Sequence, residues 1–141
     1  MPNVMIEPMK ILLVDDHVIV REIVTNSVKA FSLPSPDEAG NGTEALTKIK
    51  DALGRGAPYD LVFLDWNMEP CDGMEVLKAC RENKKLAGMA IVMLTAESEQ
   101  RNVIQAIKAG ATGYVVKPFT SKKIKETLLE IAEWKQRRRH P

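Results

Sequence analysis

Two apolar runs in this chain end abruptly on acids: ILLV is followed by Asp15 and Asp16, and LVFL by Asp65. Two more end on groups of opposite character. AIVML leads to Thr95 and Ala96, and GYVV leads to Lys117 and Pro118. Three carboxylates brought to one corner would raise one another's pKa or force their loops apart unless a cation neutralised them. An all-oxygen, acid-rich cluster with room for water suits Mg²⁺, or the similar Mn²⁺. Thr95 and Lys117 offer a hydroxyl donor and an ammonium, which complement an anion. Acids with a hard cation on one side, and a Lys with a Thr on the other, are what an aspartyl phosphate requires. Asp65, between the two sets, is the natural nucleophile. Catalysis would then consist of positioning and charge stabilisation of an in-line phosphoryl transfer, with Lys117, Thr95 and backbone N–H groups such as that of Ala96 holding phosphoryl oxygens.

Each residue taken singly has a plainer reading. Asp15 or Asp16 alone reads as a helix cap, Lys117 as a solvated charge, Thr95 as a turn residue and Trp66 as packing. His17, in the first turn of the first helix, reads as a surface residue. The chemistry rests on the conjunction of four strand ends.

Those ends must be carried by a sheet. KILLV (10–14), LVFL (61–64) and AIVML (90–94) are continuous apolar runs, with a weaker one at GYVV (113–116). Runs without alternation indicate strands covered on both faces. A further strand is expected at 36–39, where Pro34 and Pro36 argue for an edge position. Between the strands lie stripes of helical spacing: Val20, Ile23, Val24, Ser27, Val28 and Phe31; Ala45, Leu46, Ile49 and Leu53; Met74, Val76, Leu77 and Cys80; Val103, Ile104 and Ile107; Ile124, Leu128, Ile131 and Ala132. Gly54 and Gly110 suit helix ends, and Thr43, Ser98 and Thr120 or Ser121 suit helix starts. The order is βα five times over. It implies an α/β fold, a five-stranded parallel sheet in the order 2-1-3-4-5 with helices on both faces, as in flavodoxin-like folds. Ligands in such sheets bind beyond the carboxyl ends of the strands, beside the switch point between strands 1 and 3.

The 141 residues fit a single domain, 1–141, with a short extension at 1–9 and a basic tail at 135–141. With 45% hydrophobic residues, 28% charged and a net charge of +1, the composition suggests neither a nucleic-acid nor a membrane protein. No apolar run approaches the roughly 20 residues that span a bilayer, and no secretory signal opens the chain. Two cysteines, Cys71 and Cys80, outside a CxxC arrangement, fit free thiols in a cytoplasmic protein. The tail KQRRRHP reads as a frayed, solvated helix end.

From about Lys10 to Trp134 the chain resembles the receiver domains of two-component response regulators, most closely the stand-alone chemotaxis regulators of the CheY type. ILLVDD, FLDWNMEPCDG, MLTAE and GATGYVVKPF stand in family order and at family spacing. The 2-1-3-4-5 order is the known one for this family. The resemblance implies Asp65 as phosphoacceptor, Asp16 as a direct Mg²⁺ ligand with Asp15 assisting through water, and the backbone carbonyl of Asn67 in the metal shell. It implies Thr95 as switch hydroxyl, Lys117 as phosphoryl contact and a cis bond before Pro118. Tyr114 matches the switch aromatic that turns inward when Thr95 moves, and Asn67 and Glu97 match positions that tune the lifetime of the phosphoryl group. The implied partners are a histidine kinase as donor and a downstream protein such as a flagellar motor switch. That partner would be read on the fourth helix, fifth strand and fifth helix, around Gln100, Val103, Ile107 and Tyr114, of a monomer that acts as a phosphoacceptor rather than an enzyme. One position departs from the family turn: Glu69 stands where Pro is usual, with Pro70 after it, and this extra carboxylate near the metal corner is expected to alter metal affinity or phosphate lifetime.

Three other classes fit less well. Haloacid dehalogenase-type phosphatases place a DxD motif after strand 1 and usually carry a cap, whereas this chain has adjacent aspartates. A flavodoxin-like FMN carrier needs a hydroxyl- and glycine-rich loop where two acids stand. A transcription factor needs more than the 24 residues after Lys117.

Overall fold

The computed structural model describes residues 6–96 and 100–139. Its elements follow in the order β1 (Ile11–Val14), α1 (Val18–Lys29), β2 (Asp37–Ala39), α2 (Gly42–Gly54), β3 (Leu61–Asp65), α3 (Gly73–Glu82), a 3₁₀ turn (Lys84–Leu86), β4 (Ala90–Thr95), α4 (Gln100–Lys108), β5 (Gly113–Val116) and α5 (Ser121–Arg139). The five strands are parallel in the order β2-β1-β3-β4-β5, as the sequence implied.

The continuous apolar strands split their side chains between two cores. Leu12, Val14, Val62, Leu64, Ile91 and Met93 face α2 and α3. Ile11, Leu13, Leu61, Phe63, Val92 and Leu94 face α1 and α5. Successive residues of a strand point to opposite faces, so burial of both faces removes the alternation that a half-exposed strand would show. β2 is the three-residue edge anticipated from its prolines. Tyr59 anchors it, donating its hydroxyl to Asp37 Oδ2 at 2.7 Å. Desolvation, then Asp37, holds that phenol well above its ordinary pKa.

Several boundaries differ from the sequence reading. α2 begins one turn-position earlier than Thr43, with Asn41 as cap: its side chain accepts from Glu44 N at 2.9 Å, while Glu44 Oε2 accepts from Gly40 N. Gly54 remains helical, and the left-handed residue after it is Gly56, at φ 76°. Gly110 does adopt that conformation, at φ 104°. Ser98 lies outside the described residues, whereas Thr120 caps α5, accepting from Lys123 N. None of the stripe named on α4 is buried: Val103 is half-buried, Ile104 and Ile107 face outward, and the buried residue is Ala106, outside the stripe. The expected tail is mostly helix: α5 runs through Arg139, and Lys135 donates to Gly88 O at 2.9 Å instead of being solvated. Arg139 pairs with Glu7, and Arg138 lies over the Trp134 ring.

Candidate functional site

Strand register decides which side chains meet. Val14 pairs with Leu64, so Asp15 and Asp65, the next residue on each strand, arrive level at the switch point between β1 and β3. Asp65 pairs with Leu94, and Thr95 with Val116, which sets Thr95 and Lys117 one step further along the sheet. The backbone continues this alignment past the strands: Lys117 N donates to Thr95 O at 2.7 Å, and Trp66 N to Leu94 O at 2.9 Å.

Asp15 is fully buried, Asp65 is 3% exposed and Thr95 2%. Asp16 is on the rim, its side chain 69% exposed. Lys117 Nζ bridges the two buried acids, 2.8 Å from Asp15 Oδ2 and 3.4 Å from Asp65 Oδ1. Asp65 Oδ1 also accepts from Asn67 N at 3.3 Å, while its Oδ2 is buried without a hydrogen-bond partner. Burial, and then the charge of Asp15, push the Asp65 carboxyl above its ordinary pKa by more than Lys117 draws it down. An orphaned carboxylate oxygen in so dry a position is costly unless a cation or donor meets it.

The loop after β3 is held by two close approaches. A Cβ on Gly73 would fall inside contact distance of Asp65 O, and one on Gly42 inside that of Cys71 O. The absence of side chains there lets the loop fold back over α2 and the strand end, and Gly73 N donates to Trp66 O. Asp72 then caps α3, accepting from Glu75 N at 2.9 Å. Cys71 takes the left-handed conformation at φ 66°, and both Glu69–Pro70 and Lys117–Pro118 are cis, the second as expected.

The structure therefore brings Asp15, Asp16, Asp65, Lys117 and Thr95 to one corner, with the Asn67 backbone and exposed Ala96 at its edge. One ligand atom from each of Asp15, Asp16, Asp65 and His17 lies within 4.8 Å of the others. Glu69 is exposed and is not among them. Glu97 lies outside the described residues. Tyr114 on β5 is 43% exposed and, with Ile104 and Ile107 of α4, belongs to the exposed large apolar residues.

His17 is the residue that the sequence reading undervalued. It precedes α1 as its cap position instead of sitting in the first turn. Its side chain is 62% exposed, as a surface residue's would be, yet Nδ1 is 2.7 Å from Asp15 Oδ1 and its backbone N donates to the same oxygen at 2.8 Å. The signal was available: an aspartate side chain commonly reaches the N–H two residues on. Beside it Val18 and Ile19 are 67% and 70% exposed and form, with Pro118 and Phe119, an apolar shelf next to the acids.

Comparison with known proteins bears on the family and the fold. Residues 11–129 match the family described as the response regulator receiver domain. The chain is 38% identical over 125 residues to the chemotaxis protein CheY-3 of Vibrio cholerae serotype O1, covering 89% of this chain and 92% of that protein. It is 37% identical over 125 residues to the chemotaxis protein CheY of Pseudomonas aeruginosa, covering 89% and 97%. Among solved structures, chemotaxis response regulator CheY4 of Vibrio cholerae superposes with a TM-score of 0.75 at 31% identity, over 87% of this chain and 98% of that one. A matched segment that carries all five strands, together with relatives similar along almost their whole length, places this chain in the response regulator receiver domain family.

Proposed function

We propose that the protein is a single-domain response regulator of two-component signalling, of the chemotaxis type, with Asp65 as its phosphoacceptor. The observation that carries this is the state of Asp65: buried at the switch point, one oxygen facing Lys117 and the other without a hydrogen-bond partner. In the reaction Asp65 attacks the phosphorus of a phosphohistidine on a histidine kinase. The N–P bond breaks as the O–P bond forms, and the imidazole leaves with the displaced electron pair.

Asp15, Asp16, Asp65 and the Asn67 carbonyl would hold Mg²⁺ or Mn²⁺, and the orphaned oxygen and the all-oxygen donor set fit such an ion. When bound, a divalent ion there offsets charge on the carboxylate and the phosphoryl oxygens. Lys117 is poised to exchange its pairing with Asp65 for the incoming phosphoryl group. Thr95 and the Ala96 N–H meet another oxygen, and this draws Thr95 toward the phosphate. Tyr114, outward in this structure, then turns into the space Thr95 leaves, biasing an existing two-state equilibrium. Such a shift alters the surface made by α4, β5 and α5, where Ile104, Ile107 and Tyr114 are exposed. A downstream protein reads that surface, a flagellar motor switch being the kind that the chemotaxis relatives suggest. Asn67 and Glu97 tune the lifetime of the phosphoryl group, and exposed Glu69 does so through its charge at a distance. The protein assists only its own phosphorylation and dephosphorylation, acting as a cytoplasmic monomer over the single domain 1–141. Among the described residues no helix is long and apolar enough to cross a membrane.

The test is incorporation of label from a radiolabelled phosphohistidine kinase or an acyl phosphate donor, with and without Mg²⁺. The wild type is expected to gain an alkali-labile acyl phosphate only with the metal, and Asp65→Asn to gain none. Equal labelling of Asp65→Asn would remove the assignment.

A further inference from the structure

The metal site proposed above is built from oxygen donors, and the inference that follows rests on that reading. The fold adds a nitrogen. His17 Nδ1 stands 2.7 Å from Asp15 Oδ1 and 3.4 Å from Asp16 Oδ1. Neighbouring donors on an octahedral shell with bonds of about 2.1 Å are about 3.0 Å apart, and opposite donors about 4.2 Å. The two observed spacings straddle the edge of that polyhedron, and the four atoms lie within 4.8 Å of one another, a little wider than its diagonal, so the side chains would draw in by a few tenths of an ångström on binding. A separate observation concerns the same cluster: Asp65 Oδ2 is buried without a hydrogen-bond partner, whereas Asp15 turns its Oδ2 to Lys117 Nζ at 2.8 Å and its Oδ1 to His17.

His17 is well placed to serve such an ion. It occupies the cap position of α1, but its side chain caps nothing and turns to the acids instead. The bond from its backbone N to Asp15 Oδ1 fixes ring and carboxylate relative to each other. Because the side chain is mostly exposed, an ion reaches it from solvent without any rearrangement of the core.

We infer that His17 is a metal-selecting ligand of this site: its imidazole nitrogen joins the oxygen donors of Asp15, Asp16 and Asp65, and shifts preference from Mg²⁺ toward divalent first-row transition ions. Carboxylate, carbonyl and water suit Mg²⁺, whereas imidazole suits the later transition metals, whose affinity for a given site rises from Mn²⁺ to Ni²⁺. On coordination Nδ1 gives up its hydrogen bond with Asp15, and Asp15 Oδ1 turns to the ion.

The prediction is graded, which separates ligation from mere support of Asp15. Mg²⁺, Mn²⁺ and Ni²⁺ are titrated calorimetrically into the wild type, His17→Ala, His17→Asn and Asp65→Asn. Both His17 variants should leave Mg²⁺ affinity within about twofold, weaken Mn²⁺ by a few-fold and weaken Ni²⁺ about tenfold or more. The only other histidine is His140, so a loss in the His17 variants that spares Mg²⁺ and falls on Ni²⁺ locates the nitrogen. An equal loss for all three ions, or no loss of Ni²⁺ affinity, overturns the inference while leaving the oxygen site intact. Failure of the wild type to bind any of the three, or unchanged binding by Asp65→Asn, overturns the metal site itself.

Discussion

Asp65 carries its charge at a cost. Burial and the neighbouring Asp15 raise its pKa in the folded protein, so between the unfolded value of 3.8 and that raised value the native state holds more protons than the unfolded one. Stability from this group is complete below the unfolded pKa and is lost as pH rises through the folded one. In metal-free buffer Asp65→Asn should therefore raise the unfolding midpoint at pH 7, and the gain should shrink toward zero as pH falls into the carboxyl range. Thermal melts of the two proteins between pH 4 and pH 7 check it, and a constant difference across that range would contradict the cause given. At this scale the sequence was informative where strand ends named the residue: Asp15, Asp16, Asp65, Thr95 and Lys117 were all legible as groups that follow apolar runs. The contact of His17 with Asp15 was legible only through local turn chemistry, an aspartate side chain meeting the N–H two residues on, which no hydrophobic periodicity records.

Elements were legible in their cores and less so at their ends. The stripes of α1, α2, α3 and α5 and the runs of β1, β3 and β4 carry burial directly, whereas α4 kept helical spacing with Ile104 and Ile107 turned outward, since a stripe reports an apolar face without saying what covers it. The start of α2 shifted for a local reason: the Asn41 side chain takes the cap ahead of Thr43, and a glycine marks close approach as readily as an end. Gly42 is the clearest case, because a Cβ there would meet the backbone of the loop that follows β3 and not a flexible side chain. Gly42→Ala should cost about 1–3 kcal/mol, the usual range for forced overpacking, and should also shift the environment of Cys71. Denaturant unfolding measures the first, and thiol labelling the second. Cys80, buried and pushed up to about 11, should stay unlabelled in the native protein at pH 8 and serve as an internal control.

Across the whole molecule the two ends of the sheet do different work. The carboxyl ends of the strands hold the acids, Thr95 and Lys117; the amino ends hold ties between segments. Lys10 N donates to Asp60 Oδ2 at 2.7 Å and Asp60 N returns a bond to Lys10 O at 2.8 Å, just before β1 and β3. Arg81 donates to Gly110 O at 2.8 Å, Leu86 O at 3.0 Å and Thr112 Oγ1 at 3.4 Å, joining α3 to the segments that enter β4 and β5. Arg81→Ala should lower stability by about 1.5–3 kcal/mol, and Arg81→Lys should restore little, because one ammonium cannot span three acceptors held by a planar fork. Below the unfolding transition, both variants should still take up phosphoryl label on Asp65; loss of labelling in folded protein would show that the two ends are coupled. The bridge made by Lys117 has a final consequence. With Asp15, Asp16 and Asp65 ionised, three carboxylates and one ammonium leave a residual charge of minus two, which one divalent ion neutralises and a monovalent ion does not. On the function proposed above, the corner would discriminate by valence as well as by size, and the fraction of molecules able to receive a signal would follow the free concentration of divalent ions in the surrounding solution.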